Sequence, residues 1–146
     1  MNEQDNNVSF FRFEDLRIYA KAMDYIAWLY GEFADTVVTN NDVFLKESFL
    51  KSAQGIALNT AEGSSRSKTQ FLYYLKMAKS SVRECVVYTD LVARRQIISE
   101  ESKDYSRSQL MELTKMIGSL IASLQRSTGV SREDEFDVSM PSIEEL

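Results

Sequence analysis

The sequence predicts an all-α protein: an antiparallel up-down-up-down four-helix bundle followed by a flexible acidic C-terminal tail. Three observations lead there. Apolar residues recur at spacings of three and four through four separate segments. Five Gly and one Pro are too few for the turns an all-β chain needs. That proline, Pro141, lies near the C-terminus and bars no upstream segment from being helical. A chain of 146 residues suits one domain with a single core. Short connections between helices make neighbours antiparallel.

Residues 1–12 form a polar N-terminal arm, and residues 13–126 hold the bundle. The first helix is expected from about Glu14 to Val38. Leu16, Tyr19, Met23, Ile26, Tyr30, Phe33 and Val37 follow alternating steps of three and four, a stripe of the a/d kind. A second line, Ile18, Ala22, Tyr25 and Leu29, runs beside it. A helix with two apolar seams needs cover on two sides, from its own bundle and from another subunit. Thr39-Asn40-Asn41-Asp42 then breaks the pattern with turn and cap residues.

The second helix is expected from about Val43 to Glu62, with Leu45, Phe49, Ala53, Ile56 and Thr60 inward. Its small middle residues, Ser52, Ala53, Gly55, Ala57 and Ala61, let another helix approach closely. Gly63 is placed as the left-handed residue after its end. Ser67 with Gln70 has the capping-box spacing and opens a third helix to about Arg95. Phe71, Leu75, Ala78, Val82, Cys85, Thr89 and Val92 mark its inner face. Ile97-Ile98 is an apolar connection against the bundle end. Ser99 caps the fourth helix, and Leu110, Leu113, Ile117, Leu120 and Leu124 face inward. Ser127-Thr128-Gly129 ends it, and residues 127–146 form the acidic tail.

The net charge of −5 is uneven. In 127–146, one arginine stands against six carboxylates, so the tail carries the whole −5 and the body is neutral. The lone Cys85 can make no internal disulfide. The start is polar, with no secretory pattern, and no apolar run is long enough to span a bilayer. The expected location is the cytoplasm, without membrane contact. There is no histidine. That excludes Ser-His and Cys-His nucleophilic catalysis, histidine-based ribonuclease chemistry and the Glu-x-x-His di-metal bundles. One cysteine and carboxylates make a poor zinc set. No P-loop, Cys-x-x-Cys or calcium loop is present, and no cofactor is implied.

The run Asn59-Thr60-Ala61-Glu62-Gly63, then Arg66, then Ala78-Lys79-Ser80-Ser81-Val82-Arg83-Glu84 is more specific than a generic bundle. With Phe13-Glu14-Asp15-Leu16 and Tyr19 upstream, it resembles the bacterial family of four-helix proteins encoded in intervening sequences of large-subunit ribosomal RNA genes. The accessory variability determinant of diversity-generating retroelements is a relative of that group. The resemblance spans roughly 11–126. Thr60 stands where the family usually has Ile, Gly55 where it often has Ser, and Leu50-Lys51 where it tends to have two Arg. The resemblance implies a non-enzymatic protomer that assembles into a ring-like homopentamer, and a link to RNA-encoded elements.

The motif's polar members are Asn59, Glu62, Arg66, Ser81 and Glu84. Asn59 and Glu62 share a helix face, as do Ser81 and Glu84. If the faces meet, Arg66 closes one polar network. That network either fixes helix register or binds a ligand or phosphate. Lys76, Lys79 and Arg83 make a basic stripe on the third helix, with Lys68 and Arg66 nearby. The stripe is either a solvated face or a contact for RNA or DNA phosphates. Two functions follow. One is a non-catalytic homo-oligomeric accessory protein that binds nucleic acid through the stripe. The other is a protein-interaction scaffold whose partner is held by the acidic tail.

Overall fold

The computed structural model describes residues 9–34, 36 and 39–129. It holds a 3-10 turn at Arg12–Asp15 and four helices: α1 Arg17–Ala34, α2 Asn40–Ser64, α3 Lys68–Arg94 and α4 Glu100–Thr128. The acidic tail beyond Gly129, Val37 of the expected first stripe and most of the polar arm lie outside the described residues.

Cap chemistry sets both ends of α3 and α4. Ser67 Oγ accepts from the Gln70 N–H at 3.3 Å, and Ser99 Oγ accepts from the Ser102 N–H at 3.0 Å. Gly129 is left-handed (φ 73°), and its N–H returns to the Gln125 carbonyl. The end of α3 uses the same device without glycine. Gln96 takes φ 60°, its N–H donates to the Ala93 carbonyl, and the Ile97 N–H donates to the Val92 carbonyl at 2.8 Å. This turn tucks Ile97 and Ile98 into the bundle end.

Each neighbouring pair of helices is antiparallel. Phe33 meets Phe49 and Tyr30 meets Gln54 between α1 and α2. Phe49 stacks on Tyr88, and Ser52 meets Glu84, between α2 and α3. Asp90 meets Lys103, and Lys68 meets Ser127, between α3 and α4. Tyr25 meets Ser106, and Lys21 meets Gln109, between α1 and α4. Tyr25, Leu29, Phe33, Phe49, Ile56, Leu75, Val82, Leu110, Leu113 and Ile117 fill the common core. At its middle three hydroxyls meet. Ser106 Oγ lies 2.8 Å from both Tyr25 Oη and Thr89 Oγ1, and Thr89 donates to the Cys85 carbonyl. Burial pushes the Tyr25 phenol and the Cys85 thiol well up, so both stay neutral.

Two expectations are corrected. The inner face of α1 is Ile18, Ala22, Tyr25, Ile26, Leu29 and Phe33, whereas Met23 and Tyr30 of the a/d stripe are 43% and 48% exposed. The core direction bisects the contacts with α2 and α4, and that bisector runs through Ala22 and Leu29. The 3-10 turn takes up the start, so α1 begins at Arg17. Gly63 is the second case. It lies inside α2 with ordinary helical backbone, and its absent side chain makes room for α3. A Cβ there would sit 2.6 Å from Tyr74 Cβ and 2.9 Å from Phe71 Cδ1.

Asp42 ties the start of α2 to the far end of α3. Arg95 Nε donates to Asp42 Oδ1 at 3.0 Å, and Thr39 Oγ1 donates to Oδ2 at 2.9 Å. The Arg95 hydrogen bond, then that of Thr39, holds the Asp42 carboxyl below the usual carboxylate range.

Two stability predictions follow from this packing. Gly63→Ala gains about 1 kcal/mol of helix propensity but incurs overpacking of about 1–3 kcal/mol, so a net loss is expected. Gly118→Ala, where a Cβ meets nothing within 4 Å, should gain about 0.5–1 kcal/mol. Urea midpoints check both signs. For Asp42 the folded pKa is depressed. Its stabilisation is therefore full above the ordinary carboxylate value and is lost as pH falls through the folded value. Asp42→Asn should lower the melting temperature at pH 7, and the gap to wild type should narrow below about pH 4.

Candidate nucleic-acid interface

The close α2–α3 contact decides where the motif residues go. A Cβ at Gly55 would lie 2.7 Å from Ser81 Oγ, so Ser81 fills the space that glycine leaves. Asn59 donates within its own helix, from Nδ2 to the Gly55 carbonyl at 2.9 Å. Glu84 accepts from Ser52 Oγ at 2.7 Å across the two helices. Glu62 is held by Arg66, whose Nε donates at 3.0 Å. The Arg66 guanidinium also lies over the Tyr74 ring, 5.4 Å from its centroid. The five polar residues thus form three separate sets, and Arg66 does not close them into one network. The hydrogen bond that Arg66 donates to Glu62, then its charge interaction with the Tyr74 phenol group, raises the Arg66 pKa above its ordinary value.

The flank of α3 that faces α2 carries Tyr74, Ser81 and Tyr88 at seven-residue steps. Lys76, Lys79 and Arg83 occupy the other flank, toward α4. Seven residues beyond Arg83, Asp90 lies 3.9 Å from Lys103 of α4. Seven residues beyond Lys79, Val86 shares a surface groove with Arg107, Met111 and Thr114 of α4. The Asp90–Lys103 and Lys68–Ser127 pairs fix the α3–α4 register. Counted along it, Arg83 stands level with Met111 and Lys79 level with Lys115. Arg107, Met111 and Lys115 make an i, i+4, i+8 row on α4. Five cations from two helices therefore border one seam.

Two acidic groups lie at one end of this seam. Asp90 receives Arg94 at 3.1 Å as well as Lys103, and Asp104 lines the same end of the groove. Glu112 pairs with Lys21 of α1, whose hydrogen bond and charge, with a smaller pull from Lys115, hold its carboxyl below the usual range. Lys68 lies at the far end, with Nζ 2.6 Å from Ser127 Oγ. Arg107 and Lys115 were missed in the sequence because they are separate cations on a mixed helix. Only the register of α4 against α3 makes them part of a patch.

The seam between α1 and α2 is on the opposite side of the bundle and is apolar. Met23, Tyr30 and Leu58 are exposed there, Leu58 by 67%. Phe10 and Phe11, which precede the 3-10 turn, are also exposed. Among the described residues, no helix is long and apolar enough to cross a membrane, and no cluster of His, Cys, Asp and Glu could hold a metal ion.

Comparison with known proteins places this geometry. A crystal structure from Bacteroides thetaiotaomicron VPI-5482 shares the fold at a TM-score of 0.66 and 19% identity, covering 72% of this chain and 95% of that one. That protein is described as one of unknown function from the S23 ribosomal protein family. No curated protein matches. The family model for 23S rRNA-intervening sequence proteins matches residues 14–119, which include the 3-10 turn's Glu14 and most of all four helices. With the match spanning most of the bundle, the chain belongs to the 23S rRNA-intervening sequence protein family.

Proposed function

We propose that the protein is a non-catalytic, cytoplasmic accessory protein that self-assembles and holds RNA or DNA phosphates on the α3–α4 flank. The observation that carries this reading is the gathering of Lys76, Lys79 and Arg83 with Arg107 and Lys115 along one seam. The sequence stripe alone is three cations on one helix. Two helices side by side make a broader surface, suited to a polyanion and not to a small ligand. Each phosphate neutralised releases condensed counterions, so the contact is driven by salt-dependent entropy.

Self-assembly follows from the α1–α2 flank. Met23, Tyr30 and Leu58 are a surface that water covers poorly, and association removes it from water. The flank lies opposite the basic seam, so assembly there leaves the cations accessible. The family resemblance supplies the number five and the ring. A ring repeats the basic seam once per protomer and multiplies a weak contact. Arg66 and Lys68 are secondary contributors, because they lie before and in the first turn of α3, away from the middle of the seam.

The test is a fluorescence-anisotropy titration with labelled structured RNA and duplex DNA. A multi-phosphate contact should weaken by orders of magnitude between about 50 and 200 mM salt. Lys79→Glu with Arg83→Glu should weaken binding at least about tenfold, two charge reversals being worth that much at low salt. Sedimentation should show the oligomer intact. Leu58→Glu should instead reduce the oligomer. Absence of binding at low salt, or binding indifferent to the stripe, overturns the reading and leaves the protein-interaction scaffold.

A further inference from the structure

We infer that the acidic segment after α4, residues 130–146, docks on the basic α3–α4 flank of its own chain and competes there with nucleic-acid phosphates. The competition rests on the function proposed above; the docking does not. The segment lies outside the described residues, but its sequence and its point of departure are known. It carries Arg132 against Glu133, Asp134, Glu135, Asp137, Glu144 and Glu145, a net −5. The body of the chain is neutral, so no general attraction draws the segment in. A local positive surface must do it.

The segment leaves α4 beside the start of that surface. Lys68, at the first turn of α3, reaches Ser127 at 2.6 Å, and Gly129 takes the left-handed backbone that ends the helix. From the level of Lys68, α3 rises at about 1.5 Å per residue, which places Lys76 about 12 Å and Arg83 about 22 Å along the seam. Counted from Gly129 at about 3.3 Å per residue, an extended chain brings Glu133 to about 13 Å and Asp137 to about 26 Å. The four clustered carboxylates thus span the same interval as the three α3 cations. The level of Lys115 falls inside that interval as well.

Side-chain alternation adds a second match. Glu135, Asp137 and Ser139 alternate with Phe136, Val138 and Met140. An extended backbone turns these to opposite faces. The seam offers both surfaces. Its cations are bordered by Val87, one turn beyond Arg83, and by Met111 on α4, which are 59% and 55% exposed. A tethered segment meets the seam at an effective concentration in the millimolar range, so even weak docking occupies it. Nucleic acid must then displace the segment, and its apparent affinity falls by the fraction of open seam.

A spin label on Ser139→Cys tests the docking directly, in the full-length chain. The native thiol, Cys85, is fully buried, so labelling is selective. The label should be immobilised at low salt. Lys79→Glu with Arg83→Glu should free it, and so should about 1 M salt, where the screening length falls to about 3 Å. Lys51→Glu, on the exposed outer side of α2, should leave it immobilised. A label that is mobile in the parent chain, or unaffected by the seam substitutions, overturns the inference.

The competition is read from a second variant, with Glu133, Asp134 and Glu135 changed to Gln, Asn and Gln, and Asp137 to Asn. It should bind structured RNA about tenfold more tightly than the parent, a seam open about one-tenth of the time giving that factor. Unchanged affinity overturns the competition. Release of the label by the seam substitutions, with no RNA bound by any variant, supports docking and rejects the proposed function. RNA binding that depends on Lys79 and Arg83, with a label mobile throughout, supports the function and rejects docking.

Discussion

The close approach of α2 to α3 is the constraint on which the other features depend. Two glycines make it possible. Gly55 leaves room for Ser81, and Gly63 leaves room for Tyr74 and Phe71. The contact continues through Phe49 and Tyr88 to Asp42 and Arg95 at the far end. A crossing this tight and this long fixes the rotation of α3 about its own axis. That rotation sends Leu75, Ala78, Val82, Cys85, Thr89 and Val92 into the core. It also sends Lys76, Lys79 and Arg83 to the flank beside α4.

The polar residues of the family motif serve the same contact. Asn59 and Ser81 sit around Gly55, Glu84 and Ser52 bridge the two helices, and Glu62 with Arg66 secures the turn that follows. The deeper polar group, Tyr25 with Ser106 and Thr89, links α1, α3 and α4 through one serine hydroxyl. Among the described residues no buried side-chain nitrogen or oxygen lacks a hydrogen-bond partner. Satisfied polar groups of this kind select one packing among the many that an apolar core would accept. The interior therefore specifies the shape.

The surface has two unlike sides. One seam, between α1 and α2, is apolar; the other, between α3 and α4, is basic. A four-membered ring of helices places these seams opposite each other, so contacts on one do not bury the other. The acidity of the chain is then confined to the segment after Gly129, which begins at the basic side. Charge in this molecule is thus segregated along the sequence.

The sequence by itself determined the helices, because period and caps are local. Ser67 and Ser99 act as caps, and the inner faces of α2 and α3 follow their three-four spacing. The stripe of Lys76, Lys79 and Arg83 was also legible, since one helix carries all three. Tertiary structure decided the rest. α1 has two apolar lines, and periodicity cannot choose between them. The position of α2 and α4 put Ala22 and Leu29 inside and left Met23 and Tyr30 outside. Gly63 has the same local signature as a helix terminator and as a close-packing residue. Only the presence of Tyr74 distinguishes them. The three-hydroxyl core, the separation of the motif into three sets and the addition of Arg107 and Lys115 to the basic seam all join residues distant in sequence. Such pairings depend on the register between helices, which side-chain packing sets and no single segment encodes.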